Sequence, residues 1–400
     1  MRDNALPRGR KVMMIIALLV AIGPMCTDMY LPALPQMVRY FGADTAQLQF
    51  TISIFLVGFA LSQLIYGPLA DRFGRKPVIV GGMLLFCGAT VGCALAETVP
   101  SLAFWRFMQA LGGCVGPVLG RAMIRDIYGP VDAAKAMSNL GTIMALAPAI
   151  APVLGGYLVG WFEWQVIFWV LTGYGLVALL LYGLVLPETF PAEQRQALPL
   201  SDMLAAFGQL LRDRVFVGFA LTLGFVYSGL FSFISGSAFV VVEHFGVSES
   251  NYGYLFGLIV IGYMTGTQLA SRLANKVGVE RMIRRGVSIT ALVGVGVLIS
   301  WLLNGQTLAI TMALMVIYMV GLGIALPLCM AGALAPFPKI AGTASSLLGF
   351  SQMVIAAVVG IQVGHYHSGG PQVMLGMIGA MGFLAFGVFH LLVVRKTADR

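Results

Sequence analysis

Asp28 and Arg106 are the two charges that fall clearly inside long apolar runs of this chain. A charge at the centre of a membrane helix costs ~2.5–3.5 kcal/mol on insertion scales. A chain has no need of that cost for folding, so each is a candidate for chemistry. A carboxyl such as Asp28 can carry a proton, because burial raises its pKa while a nearby cation lowers it. Arg106 can supply that cation. With the N-terminus inside, the first helix runs outward and the fourth inward. Both residues then lie about 7–9 Å below the outer boundary at ~1.5 Å per residue, a depth that permits a pair.

A second constellation is the string GPLADRFGRK at 67–76, a charged, glycine-punctuated hairpin between two apolar runs. An ordinary basic turn accounts for its three cations. It does not account for Gly67, Asp71 and Gly74 standing at these spacings beside Arg72, Arg75 and Lys76. Asp71 is placed to favour the positive N-terminal end of the eleventh helix, near Lys339–Thr343. Arg72 is placed to pair with Asp126 at the inner end of the fourth helix, and Arg121 and Arg125 stand nearby. Such contacts form a latch between two halves of a molecule.

These residues must be positioned by helices in a membrane. Apolar residues make up 59% of the 400 and charged ones 10%, against roughly 25% charged in a soluble domain. The runs are continuous rather than alternating, which predicts helical spans and not barrel strands. Twelve are expected, at about 12–34, 46–69, 78–96, 101–124, 137–160, 164–186, 215–241, 250–271, 283–302, 307–328, 341–364 and 371–394. The net charge of +8 is topology and not a nucleic-acid surface. With both termini on the cytoplasmic side, all Lys and Arg except Arg39, Arg106 and Arg121 fall in inner segments, Arg8, Arg10 and Lys11 among them. The five cysteines lack CxxC spacing, and His365 with His367 makes no metal cluster. No metal and no cofactor beyond a proton is expected.

Residues 187–214 interrupt the pattern with Pro187, Pro191 and Pro199 and seven charged residues. They divide the chain into an N-terminal bundle (1–186), a cytoplasmic linker (187–214) and a C-terminal bundle (215–400). Leu200, Leu204, Phe207 and Leu211 predict a short amphipathic helix on the inner membrane surface. LADR at 69–72 is echoed by LASR at 269–272, each after the second span of its half. An all-α membrane protein of two pseudo-symmetric six-helix bundles follows, with a site near the midplane.

GPLADRFGRK resembles the signature loop of the major facilitator superfamily at every defined position. DMYLPALP at 28–35 resembles the first-helix signature of its drug:proton antiporter group with twelve spans. RFMQALGG at 106–113 is similar to that group's fourth-helix motif, whose arginine is associated with proton coupling. LAPAIAPVLGGYL at 146–158 resembles the antiporter motif, with Pro148, Pro152, Gly155 and Gly156 bending the fifth helix. APFPKIAGTASSLLGF at 335–350 resembles the bicyclomycin and chloramphenicol exporters. The resemblance implies a monomeric antiporter of the bacterial inner membrane, exporting amphipathic drugs or lipophilic cations against protons by alternating access. An exporter of a small metabolite with the same fold is the alternative. The helices that line the cavity in this superfamily carry Tyr30, Phe55, Phe59, Tyr227, Phe231, Tyr263, Tyr318 and Gln352 here. An ATP-driven pump is excluded within this chain by the lack of GxxxxGK[ST]. No Ser/His pair or paired intramembrane carboxylates suggest an enzyme.

Overall fold

The structure is a computed structural model that describes residues 9–191, 193, 195, 200–367 and 369–394, without the side chains of 130–135, 138–139, 142–145 and 200. Arg8, Pro199, the Leu200 side chain and the last six residues therefore lie outside the described residues. All described elements are helical. The first span consists of α1 (Arg10–Asp28), a 3-10 turn (Leu31–Ala33) and α2 (Leu34–Phe41). Then come α3 (Thr45–Phe73), α4 (Arg75–Ala94), α5 (Val99–Gly113), α6 (Val115–Trp161) and α7 (Gln165–Val185). The linker holds α8 (Leu200–Arg212). The second half has α9 (Arg214–Ala238), α10 (Glu249–Val277), α11 (Val279–Leu302), α12 (Leu308–Leu334), α13 (Ala341–His365) and α14 (Gln372–Val388). Helices α9 and α14 each end in a π-turn, Phe239–His244 and Phe389–Val394.

Among the described residues, eleven stretches are long and apolar enough to cross a bilayer, and the shorter Leu146–Trp161 accompanies them. Helices α10 and α12 each run six residues past their expected ends, and two further differences change how the spans connect. The first span does not stop near Leu34 but continues as α2, so Arg39 is on a helix and not in a loop. The fourth and fifth spans are joined without a loop, because Gly129 (φ 69°, ψ 177°) turns the chain inside α6. Only glycine adopts such a backbone without strain. Elsewhere, polar caps set the helix starts. The Asp213 carboxylate accepts from the backbone N–H of Val215 and Phe216, and Thr98, Ser248 and Thr307 cap α5, α10 and α12.

The two halves repeat one another's packing. In the first, α1 lies on α6 and α7, α3 on α5, and α4 on α5 and α7. In the second, α9 lies on α13 and α14, α10 on α12, and α11 on α12 and α14. This is a pseudo-two-fold pair of six-helix bundles. The outer surface is apolar, with Leu184, Leu302 and Trp161 among the most exposed side chains, as lipid-facing helices require. Two seams join the halves, α3 against α13 and α6 against α10. The end of the molecule where α1 starts and α8 lies is called the linker side, and the opposite end the far side.

Candidate functional site at the seam between the halves

The first span breaks immediately after Asp28. Pro32 has no N–H to give the Asp28 carbonyl, and Pro35 none for that of Leu31, so the helix cannot continue regularly. The Met29 N–H still reaches the Met25 carbonyl at 3.3 Å, but the carbonyls after it lose their regular helical donors. One of them, on Cys26, accepts from an Arg106 Nη at 3.1 Å. The same Nη donates to Gln109 Oε1 at 2.6 Å, and Gln109 Nε2 donates to Thr90 Oγ1 at 3.0 Å. The Tyr30 and Phe55 rings face the guanidinium at 4.5 and 4.3 Å. Arg106 is fully buried inside the first bundle, with its Nε and second Nη unpartnered among the described residues.

Asp28 and Arg106 are not an ion pair. Within α1, residues 26 and 28 are about 200° apart around the axis. The Cys26 carbonyl therefore meets Arg106 while the Asp28 side chain points elsewhere. The Asp28 carboxylate accepts from Thr27 Oγ1 at 2.9 Å, is 4% exposed, and lies within electrostatic reach of Tyr227 on α9 and Tyr252 on α10. It sits at the seam. Tyr252, buried and bonded to Ser237 Oγ at 2.7 Å, was not among the sequence candidates. Its one sequence signal is a place four residues into an apolar helix.

The fifth-helix glycines bring backbones together on the far side. A Cβ on Gly155 would strike the Met29 carbonyl just past the break, and one on Gly156 the Glu249 carbonyl of the other half. Reciprocally, a Cβ on Gly253 would strike the backbone of Pro152 and Val153. Pro152 is buried in this contact, while Pro148 is half-buried one turn earlier. An ion pair of Arg39 with Glu249 (3.8 Å) and a hydroxyl pair of Tyr157 with Tyr254 (2.6 Å) lie on the same side.

On the linker side, the 67–76 loop closes on itself and on the linker. Arg75, not Arg72, engages Asp126, with Nε to Oδ2 at 3.3 Å, and its Nη1 reaches Asp71 Oδ1 at 2.6 Å. Arg75 is the buried charge of the loop, entering α4 after Gly74 (φ 94°) and facing the Phe190 ring at 4.2 Å. Arg72 lies over the neighbouring Phe73 ring. Lys76 Nζ donates to the carbonyls of Gly183 and Leu186 at the end of α7. Glu188, missed in the sequence, accepts from the Arg75 and Lys76 backbone N–H at 2.9 and 3.1 Å and caps α4. Gly67 faces open space, and Arg121 Nε donates to the Pro117 carbonyl, outside this cluster.

Asp71 does not meet the start of α13. In the α3–α13 seam, Gly364 abuts Gln49, Gly360 abuts Ser53, and Gly349 abuts Gln63. That antiparallel register puts Asp71 level with Ala341 and Gly342, yet a Cβ on Gly342 meets nothing within 4 Å. The cavity candidates divide. Tyr30 and Phe55 flank Arg106, with Phe59 stacked on Phe55 at 6.0 Å. Tyr318 donates to the Val226 carbonyl within the second half, and Phe231 packs against Gly360. Tyr227 and Tyr263 are half-buried within electrostatic reach of each other, and Gln352 is buried on α13.

Comparison with known proteins agrees with this architecture. The sequence pattern described as Major Facilitator Superfamily matches residues 13–361. The chain is 31% identical over 388 residues to the "Bicyclomycin resistance protein homolog" of Haemophilus influenzae, covering 96% of each. It is 32% identical over 356 residues to the "Multidrug resistance protein MdtL" of Escherichia coli, covering 86% of this chain and 87% of that one. In fold it is similar to a solved peptide transporter POT in complex with sulfate (TM-score 0.78, 14% identity, 98% of this chain and 97% of that one). With its two repeated bundles and a buried carboxyl at their seam, this chain belongs to the major facilitator superfamily of transporters, not to any class of enzyme.

Proposed function

We propose that the protein is a proton-coupled antiporter that exports amphipathic drugs across the bacterial inner membrane. The observation that carries this is Asp28, a buried carboxyl at a helix break on the seam between the halves. A carboxyl there faces one side or the other as the halves rock, and can exchange its proton for a substrate. The linker side is the cytoplasmic one, following the distribution of Lys and Arg. Both termini then face the cytoplasm. Each returning proton contributes ~2.3 kcal/mol per 100 mV to the export of a neutral drug. No cofactor but the proton takes part, the partners are the substrate and the bilayer, and the protein acts as a monomer. Similarity to relatives named for bicyclomycin and multidrug resistance supports drugs over metabolites.

Two measurements test the proposal. Expression in a host deleted for its own pumps should raise resistance to members of an antibiotic panel that includes chloramphenicol, bicyclomycin and lipophilic cations. In inverted vesicles, pH-gradient-driven drug uptake should be abolished by Asp28→Asn in a protein still inserted and folded. Undiminished uptake by this variant removes Asp28 as the carrier. Resistance to nothing on the panel, with gradient-driven transport of an amino acid or sugar, replaces drug export by metabolite export.

A further inference from the structure

Gln63 on α3 and Gln352 on α13 stand apart from the other buried glutamines near the seam. Gln49 donates to the Ser235 carbonyl, and Gln109 is bonded to Arg106 and Thr90. Gln63 and Gln352 are 7% and 8% exposed, yet neither makes a hydrogen bond among the described residues. Buried amides are nearly always bonded, because an idle one costs free energy. The polar atoms of both keep a little accessibility, whereas an idle group such as Ser53 Oγ is sealed. Both side chains point inward. Gln63 lies about 200° round α3 from the lipid-facing Leu61, and Gln352 about 180° round α13 from the lipid-facing Ile361. The Gln63 amide lies flat against Gly349, where a Cβ would strike its Oε1, Cδ and Nε2. Gln352 follows Gly349 by one turn of α13, within about 60° of the same face. Two turns before Gly349, Gly342 touches nothing. One amide from each half thus stands where the halves begin to part. Tyr30 bonds to Thr51 and Gly23 faces Phe59, so Asp28 is level with Ser53 on α3. Gln63 therefore lies about 15 Å from that level, toward the linker side.

We infer that Gln63 and Gln352 form a subsite that binds the hydrogen-bonding groups of neutral drugs. The inference rests on the drug-export reading and names a substrate class for it. A primary amide offers two N–H donors and a carbonyl acceptor without charge. Two such groups suit a neutral compound that carries hydroxyl or amide groups beside an apolar body. A drug held by both bridges the halves just where they part. A permanent cation gains nothing from this uncharged pair and depends on the Asp28 carboxylate instead.

The test measures binding to purified full-length protein in detergent, with chloramphenicol and tetraphenylphosphonium as probes. Chloramphenicol is neutral and carries hydroxyl and amide groups, while tetraphenylphosphonium is a cation with no hydrogen-bonding atom. Gln63→Leu and Gln352→Leu should each raise the chloramphenicol Kd about fivefold, as expected for one neutral hydrogen bond. The double variant should lose more than either, and tetraphenylphosphonium affinity should not change. Thermal stability without drug should hold or rise, because neither leucine removes a bond that the protein makes. Should the leucine variants fold poorly, Gln63→Asn and Gln352→Asn withdraw each amide by one methylene and should weaken chloramphenicol alone. Unchanged chloramphenicol affinity in either single variant overturns the inference. So does a loss shared by both probes, which marks the amides as structural. A wild type that binds tetraphenylphosphonium but not chloramphenicol overturns the inference and leaves cation export standing; one that binds neither overturns both. Binding as expected, without pH-gradient-driven chloramphenicol uptake into inverted vesicles, overturns the antiport reading alone.

Discussion

Arg106 shows what a buried guanidinium does that a point charge cannot. One Nη serves both Cys26 and Gln109, while the flat group lies between the Tyr30 and Phe55 rings. Lysine keeps the charge but has neither the plane nor the fork. Arg106→Lys should therefore lose gradient-driven uptake in vesicles while remaining inserted. Full activity in that variant reduces Arg106 to a point charge. Arg75 is the linker-side counterpart, shared between Asp71 and Asp126. Arg75→Ala leaves two partly exposed carboxylates unpaired. It should lower the thermal stability of detergent-solubilised protein by about 1–3 kcal/mol, and Arg75→Lys should recover part of that. Both charged residues of the site, and the loop at 67–76, were legible because charge inside or between apolar runs is costly and rare. Their partners were not. Depth can be counted along a helix, but facing changes by about 100° per residue, so Asp28 was matched with Arg106 and Arg72 with Asp126. Tyr252 and Glu188 gave no such signal, since a phenol in an apolar helix and an acid after one are both ordinary.

At the level of elements, the spans were legible from hydropathy alone, while their breaks depended on single residues. Pro32 and Pro35 sit in a run otherwise apolar enough to continue, and the chain does continue, as α2. Gly129 replaces the loop that two separate spans seemed to need. Neither outcome follows from composition, because proline and glycine both interrupt and continue membrane helices according to their neighbours. The break in the first span leads to a prediction. Pro32→Ala restores an N–H able to bond the Asp28 carbonyl, worth ~0.5–1.5 kcal/mol net. Straightening the span would carry the Met29 carbonyl away from Gly155, where the two now touch. Transport should fall although the melting temperature of purified protein holds or rises. Transport falling together with stability would make Pro32 a folding residue only. Gly253→Ala tests the same contact from the other half. Its new methyl meets backbone atoms of Pro152 and Val153 that cannot rotate away, so cross-linking between Tyr157→Cys and Tyr254→Cys by a short bis-thiol reagent should drop.

Taken whole, the molecule is held together unevenly across the membrane. Among the described residues, the hydrogen bonds and ion pairs that join the two halves directly are Gln49 to the Ser235 carbonyl, Tyr157 with Tyr254, and Arg39 with Glu249. All three lie on the far side. Along α13, Gly364, Gly360 and Gly349 press on α3, but Gly342, two turns before Gly349 on the same face, does not. The halves therefore converge on the far side and part toward the linker. The linker is fastened to both, since Glu188 caps α4 while α8 packs on α9 and α13. In this state Asp71 is spent on Arg75, so the contact with the start of α13 expected from the sequence would form only in an opposite state with the linker side closed. Asp71→Asn then has an effect that depends on conformation. Here it weakens one partly exposed ion pair, worth ~0.2–1 kcal/mol. Were Asp71 to meet that helix N-terminus in an opposite state, the substitution would also remove an anion there, worth a further ~0.3–1 kcal/mol. The variant should consequently favour the arrangement described here. Gly342→Cys should react with an impermeant thiol reagent applied from the linker side, and react faster still when Asp71→Asn is added. A cysteine at Ser53, pressed against Gly360, should stay protected in both. Equal labelling of Gly342→Cys with and without Asp71→Asn would mean that Asp71 has no part in closing the linker side.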